Sequence, residues 1–252
     1  MKNKYTIGPC FVNLKNKQEL LDQLFHNLFS QYKETQIYFY ANVGSFYYLK
    51  AKTFQRAFSQ ADFSYLNSDF LSYFYNMIFR SKFQKSNAED FIDDLCLFCQ
   101  NTRKKIMLLG STEKTNSRAI VNLHKKYPHL MLRGYHGYFH ASDILIQTIQ
   151  SYKPDLILVG LGYGRQEQWL SDNKKSLNQV KACITIGNYI EIIGGQIKLP
   201  PYYFKLTHLE WLYRLIKEPC RLWKRYLFGL FYFSKEIIGF IFKKKDKKHK
   251  VT

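Results

Sequence analysis

PDLILVGLGYGRQEQWL, Pro154 to Leu170, is the stretch whose reading decides the fold. Leu156 to Val159 is an apolar run of strand length, bounded by Asp155 and by Gly160, Gly162 and Gly164, and the polar segment after it reads as the start of a helix. Strand, glycine turn and helix are the repeating piece of an open α/β sheet. In such sheets ligands bind beyond the carboxyl ends of the strands, where helix N-termini offer unpaired N–H groups to an anion. The expectation is therefore that Arg165, Gln166 and Glu167 stand at the mouth of a site, with Gly162 in the turn below them.

The same rhythm extends in both directions. Lys17 to Gln31 carries leucines at helical spacing, Gln36 to Ala41 reads as a strand, Val43 to Phe58 as one helix and Phe63 to Leu66 as a strand, with Asn67-Ser68-Asp69 as a turn or helix cap. Downstream, strands at Ile106 to Leu109, Leu130 to Arg133, Leu156 to Val159 and Ala182 to Ile186 alternate with helices at Glu113 to Lys126, Ala141 to Tyr152 and Gly164 to Ser176. Alternation of this length implies βαβ units. The expected class is α/β: a Rossmann-like, mostly parallel sheet with helices on both faces over residues 1–200, followed by a C-terminal helical, membrane-associating appendage over residues 201–252.

Pro200-Pro201 marks that boundary, because proline continues neither a helix nor a central strand. The net charge is +19, and about half of it lies after Pro200, where 10 lysines and 3 arginines face 4 acidic residues. Tyr226 to Phe233 and Ile237 to Phe242 are uncharged, but Ser234-Lys235-Glu236 separates them, so no run reaches the roughly 18 residues of a membrane span. A helix lying in the interface of an anionic membrane fits this pattern, with packing on its own domain as the competing reading. Nucleic-acid binding has only net charge behind it.

Five scattered cysteines and no apolar N-terminal segment suggest a reduced, cytosolic chain. Cys96 and Cys99 form a lone CxxC in an apolar helical stretch, which reads as core packing and not as a metal site. The glycines of the central turn miss the dinucleotide fingerprint, since its third glycine would fall at Arg165, and there is no phosphate-loop lysine, HExxH or D-x-D. Phosphate chemistry would then rest on arginines and helix ends. Asp69, in its NSD turn among aromatic residues, is the candidate base, with desolvation expected to favour its proton; His136 in RGYHGYF is a second candidate. Arg214, Arg221 and Arg225 stand at intervals of seven and four, so they share a face if the segment stays helical past Pro219. The apolar faces of the N-terminal helices suit either core or a homo-oligomer interface.

Five segments in order, KKIMLLGS, KKYPHLMLRGYHGYF, PDLILVGLGYGRQEQWL, ITIGNYIEIIGGQIKLPP and LEWLYRLIKEPCRLWKRYL, resemble the WecG/TagA/CpsF glycosyltransferases of bacterial capsule and teichoic acid synthesis over about residues 104–228. The resemblance implies an inverting transfer from a UDP-sugar, ManNAc-like or another hexose, to a polyprenyl-diphosphate-linked sugar. It implies a peripheral enzyme on the cytoplasmic membrane face, without metal or cofactor. It also implies Asp69 as catalytic base, followed here by Phe70 where the family has glycine. Tyr40 stands for a family threonine and Asn42 for an asparagine near the substrate. Gln166 and Glu167 match a glutamine and glutamate pair of the family, and Gly110, His136, Gly162 and Arg165 complete the expected substrate-binding set. Glu191 replaces an aspartate, Asn188 a glycine, and Arg214, Arg221 and Arg225 match basic positions of the C-terminal appendage. The alternative is a non-catalytic member that holds a lipid-linked intermediate or a partner glycosyltransferase at the membrane.

Overall fold

The computed structural model describes residues 13–31, 34–139 and 142–249, the side chains of 241–249 excepted. Among the described residues seven strands are laid down in chain order as β1 (Leu14–Lys15), β2 (Gln36–Ala41), β3 (Phe63–Leu66), β4 (Ile106–Gly110), β5 (Leu132–Tyr135), β6 (Leu156–Gly160) and β7 (Ala182–Thr185). Across the sheet the order is β1-β3-β2-β7-β6-β4-β5, and every pairing is parallel. Between and after them run the helices α1 (Lys17–Phe29), α2 (Val43–Tyr48), α3 (Lys52–Ser59), α4 (Asp69–Phe79), α5 (Ala88–Asn101), α6 (Glu113–Lys126), α7 (Ser142–Tyr152), α8 (Arg165–Asn173), α9 (Tyr189–Ile193), α10 (Tyr202–Leu206), α11 (Glu210–Lys217) and α12 (Pro219–His249).

A parallel sheet is covered on both faces, so its central strands read as continuous apolar runs. LILVG of β6 and IMLLG of β4 are buried at every position. Alternate residues feed two cores: Phe39, Met107, Leu109, Ile157, Val159 and Cys183 on one face, Tyr38, Ile106, Leu108, Leu156, Leu158 and Ile184 on the other. Cys96 and Cys99 belong to the second core, and burial pushes both thiols up, Cys96 to about 12. They pack as small hydrophobes. Cys10 lies outside the described residues.

Several element bounds shift from the sequence reading. Val43 to Phe58 is two helices, since Ala51 is extended (ψ 122°) and caps α3. Gly164 to Ser176 is α8 followed by a 3-10 turn at Lys174–Leu177. β5 begins at Leu132, two residues later than expected. The helix expected from Ala141 is described from Ser142.

Beyond Pro201 the chain forms α10, α11 and then the 31-residue α12, which starts at Pro219, an N1 position where the missing N–H costs nothing. Among the described residues no helix is long and apolar enough to cross a membrane. α12 docks on the core along one face. Phe233 is 2% exposed and meets Phe46, Phe70 and Phe74 at ring separations of 4.9, 5.4 and 5.5 Å. Glycine permits the approach: a Cβ on Gly229 would lie 2.5 Å from the Val43 carbonyl, and one on Gly44 would lie 2.7 Å from Arg225 Nε. The opposite face of α12 stays exposed, with Phe231 at 64%.

Docking through Phe233 has a measurable signature. Phe233→Ala is expected to cost about 3–5 kcal/mol, and Phe231→Ala to stay within about 0.5 kcal/mol of the parent. Urea unfolding midpoints test this pair, and equal midpoints would mean that α12 is not packed on the core in solution.

Candidate active site

The chain reverses into helices at the carboxyl ends of β2 and β3, and a cleft opens there beneath the appendage. Asn42 follows β2, and its backbone N–H donates to Ser45 Oγ at 2.9 Å, starting α2. Asn67 follows β3 and donates its N–H to the Ala41 carbonyl at 2.8 Å. Ser68 Oγ accepts from Leu71 N at 3.3 Å and caps α4, so Asp69 is the first helical residue, where the helix dipole favours an anion.

Two adjoining cavities form the cleft. The larger, about 530 Å³, has Asp69, Lys85, His208 and Glu210 at one end and Phe70, Tyr73, Trp211, Tyr226 and Leu230 as apolar walls. The other lies under Tyr40, Gly162, Tyr163, Asn188 and Arg221. Asn42, Asn67, Asn87, Arg214, Arg225 and Tyr226 line both. The three arginines do not share one helix face, because α11 ends at Lys217 and α12 begins at Pro219. The bend nevertheless delivers all three to the cleft. Arg221 pairs with Glu218 at 2.5 Å, while Arg225 Nε is buried without a hydrogen-bond partner among the described residues. The Arg225 guanidinium stands 5.9 Å from the ring centres of Tyr163 and Tyr226.

Asp69 is held from two sides by Lys85 and His208. Lys85 Nζ donates to its Oδ2 at 2.8 Å, His208 Nδ1 lies 3.0 Å from its Oδ1, and its side chain is 32% exposed. The Phe70 ring beside it packs on Phe74 and Phe233 at ring separations of 4.6 and 5.4 Å.

Gln166 and Glu167 do not stand at the mouth of the site. Both are fully buried behind it, because Glu167 folds back over the start of its own helix: Gly164 N–H donates to Oε2 at 2.7 Å and Gln166 Nε2 to Oε1 at 2.8 Å. Burial raises the Glu167 carboxyl to about 7, against these hydrogen bonds and Arg225, which favour the anion. Tyr40 and Tyr163 beside it are pushed up by burial first and by the Glu167 charge second; Tyr163 hydrogen-bonds Ser45 Oγ.

Gly110, His136, Arg165 and Glu191 do not line the cleft; they sit toward the β4–β5 side of the same sheet edge. Gly110 (φ +145°) is where loops meet, since a Cβ there would lie 2.3 Å from the Gly160 carbonyl. Arg165 Nη2 donates to the Gly137 carbonyl at 3.1 Å, and His136 Nδ1 accepts from Tyr138 N–H at 3.2 Å. Glu191 is raised by burial and hydrogen-bonded by Ser111. Sequence reasoning missed Lys85, Asn87 and His208, which no motif marks, and Glu210 and Trp211, which stand in the LEWLYR segment but were not singled out there.

The family model described as glycosyl transferase WecG/TagA/CpsF matches residues 7–247. Similar curated proteins include the N-acetylglucosaminyldiphosphoundecaprenol N-acetyl-beta-D-mannosaminyltransferases of Staphylococcus aureus strains MRSA252, at 29% identity over 137 residues, and MW2, at 30% over 139 residues. Each match covers 54% of this chain and 52% of the relative, so the chain spans about half the length of the curated relatives it matches.

The raised Glu167 carboxyl fixes a pH dependence. Between its ordinary 4.5 and about 7 the folded chain binds more protons than the unfolded one, so stability falls as pH rises through that window. Glu167→Gln is expected to match the parent at pH 4 and to exceed it by up to about 3 kcal/mol at pH 8. Urea midpoints at the two pH values check this, and parallel behaviour of both proteins would contradict it.

Proposed function

Because the chain belongs to the WecG/TagA/CpsF family of glycosyl transferases, we propose that it moves a sugar from a UDP-sugar to a polyprenyl-diphosphate-linked sugar in bacterial surface-polysaccharide synthesis. The observation that carries this reading is the sharing of one cleft by Asp69, Arg214 and Arg225, the last with a buried guanidinium nitrogen that no described protein group satisfies. A buried guanidinium nitrogen without a partner is costly, and a diphosphate supplies the oxygen it lacks. The names of the staphylococcal relatives support an N-acetylmannosamine-like donor and an acceptor carrying N-acetylglucosamine on a diphospholipid.

In the proposed step Asp69 takes the proton of the acceptor hydroxyl while that oxygen bonds to the anomeric carbon. The carbon–oxygen bond to the donor diphosphate breaks, and its electron pair leaves with UDP. Attack from the face opposite the leaving group inverts the configuration. A positioned base typically supplies about 10²–10⁴-fold. Arg214, Arg221 and Arg225 meet the charge that develops on the diphosphate, an electrostatic contribution of at least comparable size. Since these cations do that work, turnover is expected to survive EDTA.

The larger cavity suits the acceptor, with polar groups around Asp69 for the sugar and aromatic walls for the first part of a lipid. The membrane side of the reading rests on the exposed apolar face of the appendage: Trp211, Ile216, Trp223, Leu227, Phe231 and Ile238 stand out among basic residues. Such a face binds an anionic bilayer surface peripherally.

Two experiments test this reading. Asp69→Asn is expected to lower turnover of a lipid-diphosphate-GlcNAc acceptor by at least about 10²-fold with circular dichroism unchanged; turnover near that of the parent would remove Asp69 from the reaction. Replacing Trp223 and Phe231 by glutamate together is expected to weaken binding to anionic vesicles at least tenfold in the full chain. Undiminished sedimentation with vesicles would take this face out of membrane contact. Saturable binding of donor and acceptor with no product across a panel of UDP-sugars would favour a non-catalytic member of the family.

A further inference from the structure

One ammonium ties the core to the appendage at Asp69. Lys85, in the segment between α4 and α5, holds Asp69 Oδ2 at 2.8 Å and Glu210 Oε2 at 2.5 Å, with its side chain only 15% exposed. Glu210 is the first residue of α11, so this bridge exists only while the appendage is seated on the core. His208, from the turn before α11, reaches Oδ1 of the same carboxylate from a side chain that is 70% exposed. Arg214 and Arg225 are the other charged groups on the cavity wall, and Tyr73 and Tyr226 its other titratable ones.

We propose that Lys85 is the positioning residue of the base and that Glu210 sets the strength of its grip on Asp69. The inference rests on the reading of Asp69 as base. A lysine bound to one carboxylate alone stabilises that anion and makes it a poor proton acceptor. Glu210 draws part of the ammonium's hydrogen bonding and charge away from Asp69, yet the N–H on Oδ2 still fixes the carboxylate's direction. Asp69 thus keeps its orientation while it shares the ammonium with Glu210. The exposed His208 is the contact on Oδ1 that an acceptor hydroxyl replaces.

The test is the pH profile of kcat for the full-length protein with UDP-sugar and lipid-diphosphate-sugar acceptor. Lys85→Met leaves Asp69 beside the Glu210 anion, so the acid limb is expected to move up by about one pH unit. Glu210→Gln leaves Lys85 to Asp69 alone, so the limb is expected to move down by about one unit, and the plateau to fall about tenfold. Each is repeated in a His208→Gln background, which removes the imidazole on Asp69 from the profile. Shifts of opposite sign support the inference, because loss of packing has no reason to move the two limbs apart. Limbs that stay in place, with Asp69→Asn inactive, overturn it and leave Asp69 as base; an active Asp69→Asn overturns the underlying reading. If Lys85→Met fails to fold, Glu210→Gln decides alone by the same criterion.

Discussion

The close approach of α12 to α2 is the constraint on which the cleft depends. Two helices meet backbone against side chain only where Cβ atoms are missing, and here Gly229 faces the Val43 carbonyl while Gly44 leaves room for the Arg225 stem. Phe233 then closes the contact among Phe46, Phe70 and Phe74. With that contact in place, Arg225 is lowered into a space behind which Tyr40, Tyr163 and Glu167 are already buried. The same residues that form the core thereby set the electrostatics of the site. A buried carboxylate held near neutrality and a buried guanidinium short of partners are two halves of one polar layer.

The carboxyl edge of the sheet divides into two parts. On the β4, β6 and β7 side, glycines draw the loops together: a Cβ on Gly110 would strike the Gly160 carbonyl, one on Gly160 the Gly187 carbonyl, and one on Gly187 would lie 3.0 Å from the Tyr40 hydroxyl. On the β2 and β3 side the strands pass directly into helix N-termini at Val43 and Asp69, and the appendage arches over them. Helix starts, asparagines and arginines converge on the second side, whereas the first side spends its backbone on close packing.

The appendage therefore has two apolar faces with different fates. One is core, shown by Phe233 and Leu222 at 2% exposure each; the other carries Trp223, Leu227 and Phe231 outward. Membrane contact and packing on the domain looked like alternatives in the sequence, yet a helix of 31 residues has room for one buried stripe and a second apolar stripe beside it.

What the sequence determined by itself is the class of fold. Continuous apolar runs such as LILV and IMLL, glycine turns and amphipathic stretches of helical length leave a covered parallel sheet as the only arrangement that buries them all, and Ser68 and Pro219 mark helix starts by their own chemistry. The ordered segments also carried the family, and single positions such as Asp69, Asn42 and the three arginines point to the cleft. Tertiary structure alone decided which way side chains near those motifs turn. Gln166 and Glu167 read as pocket residues because they follow the glycine turn, but satisfying the N-terminus of α8 drew the Glu167 carboxylate inward. Lys85 and His208 have no local signature, and the LEWLYR segment does not say what Glu210 meets, since a polar cluster across separations of 16, 125 and 139 residues is a property of packing and not of spacing. Periodicity specifies which residues are buried. Which polar groups then meet depends on how the buried faces fit together.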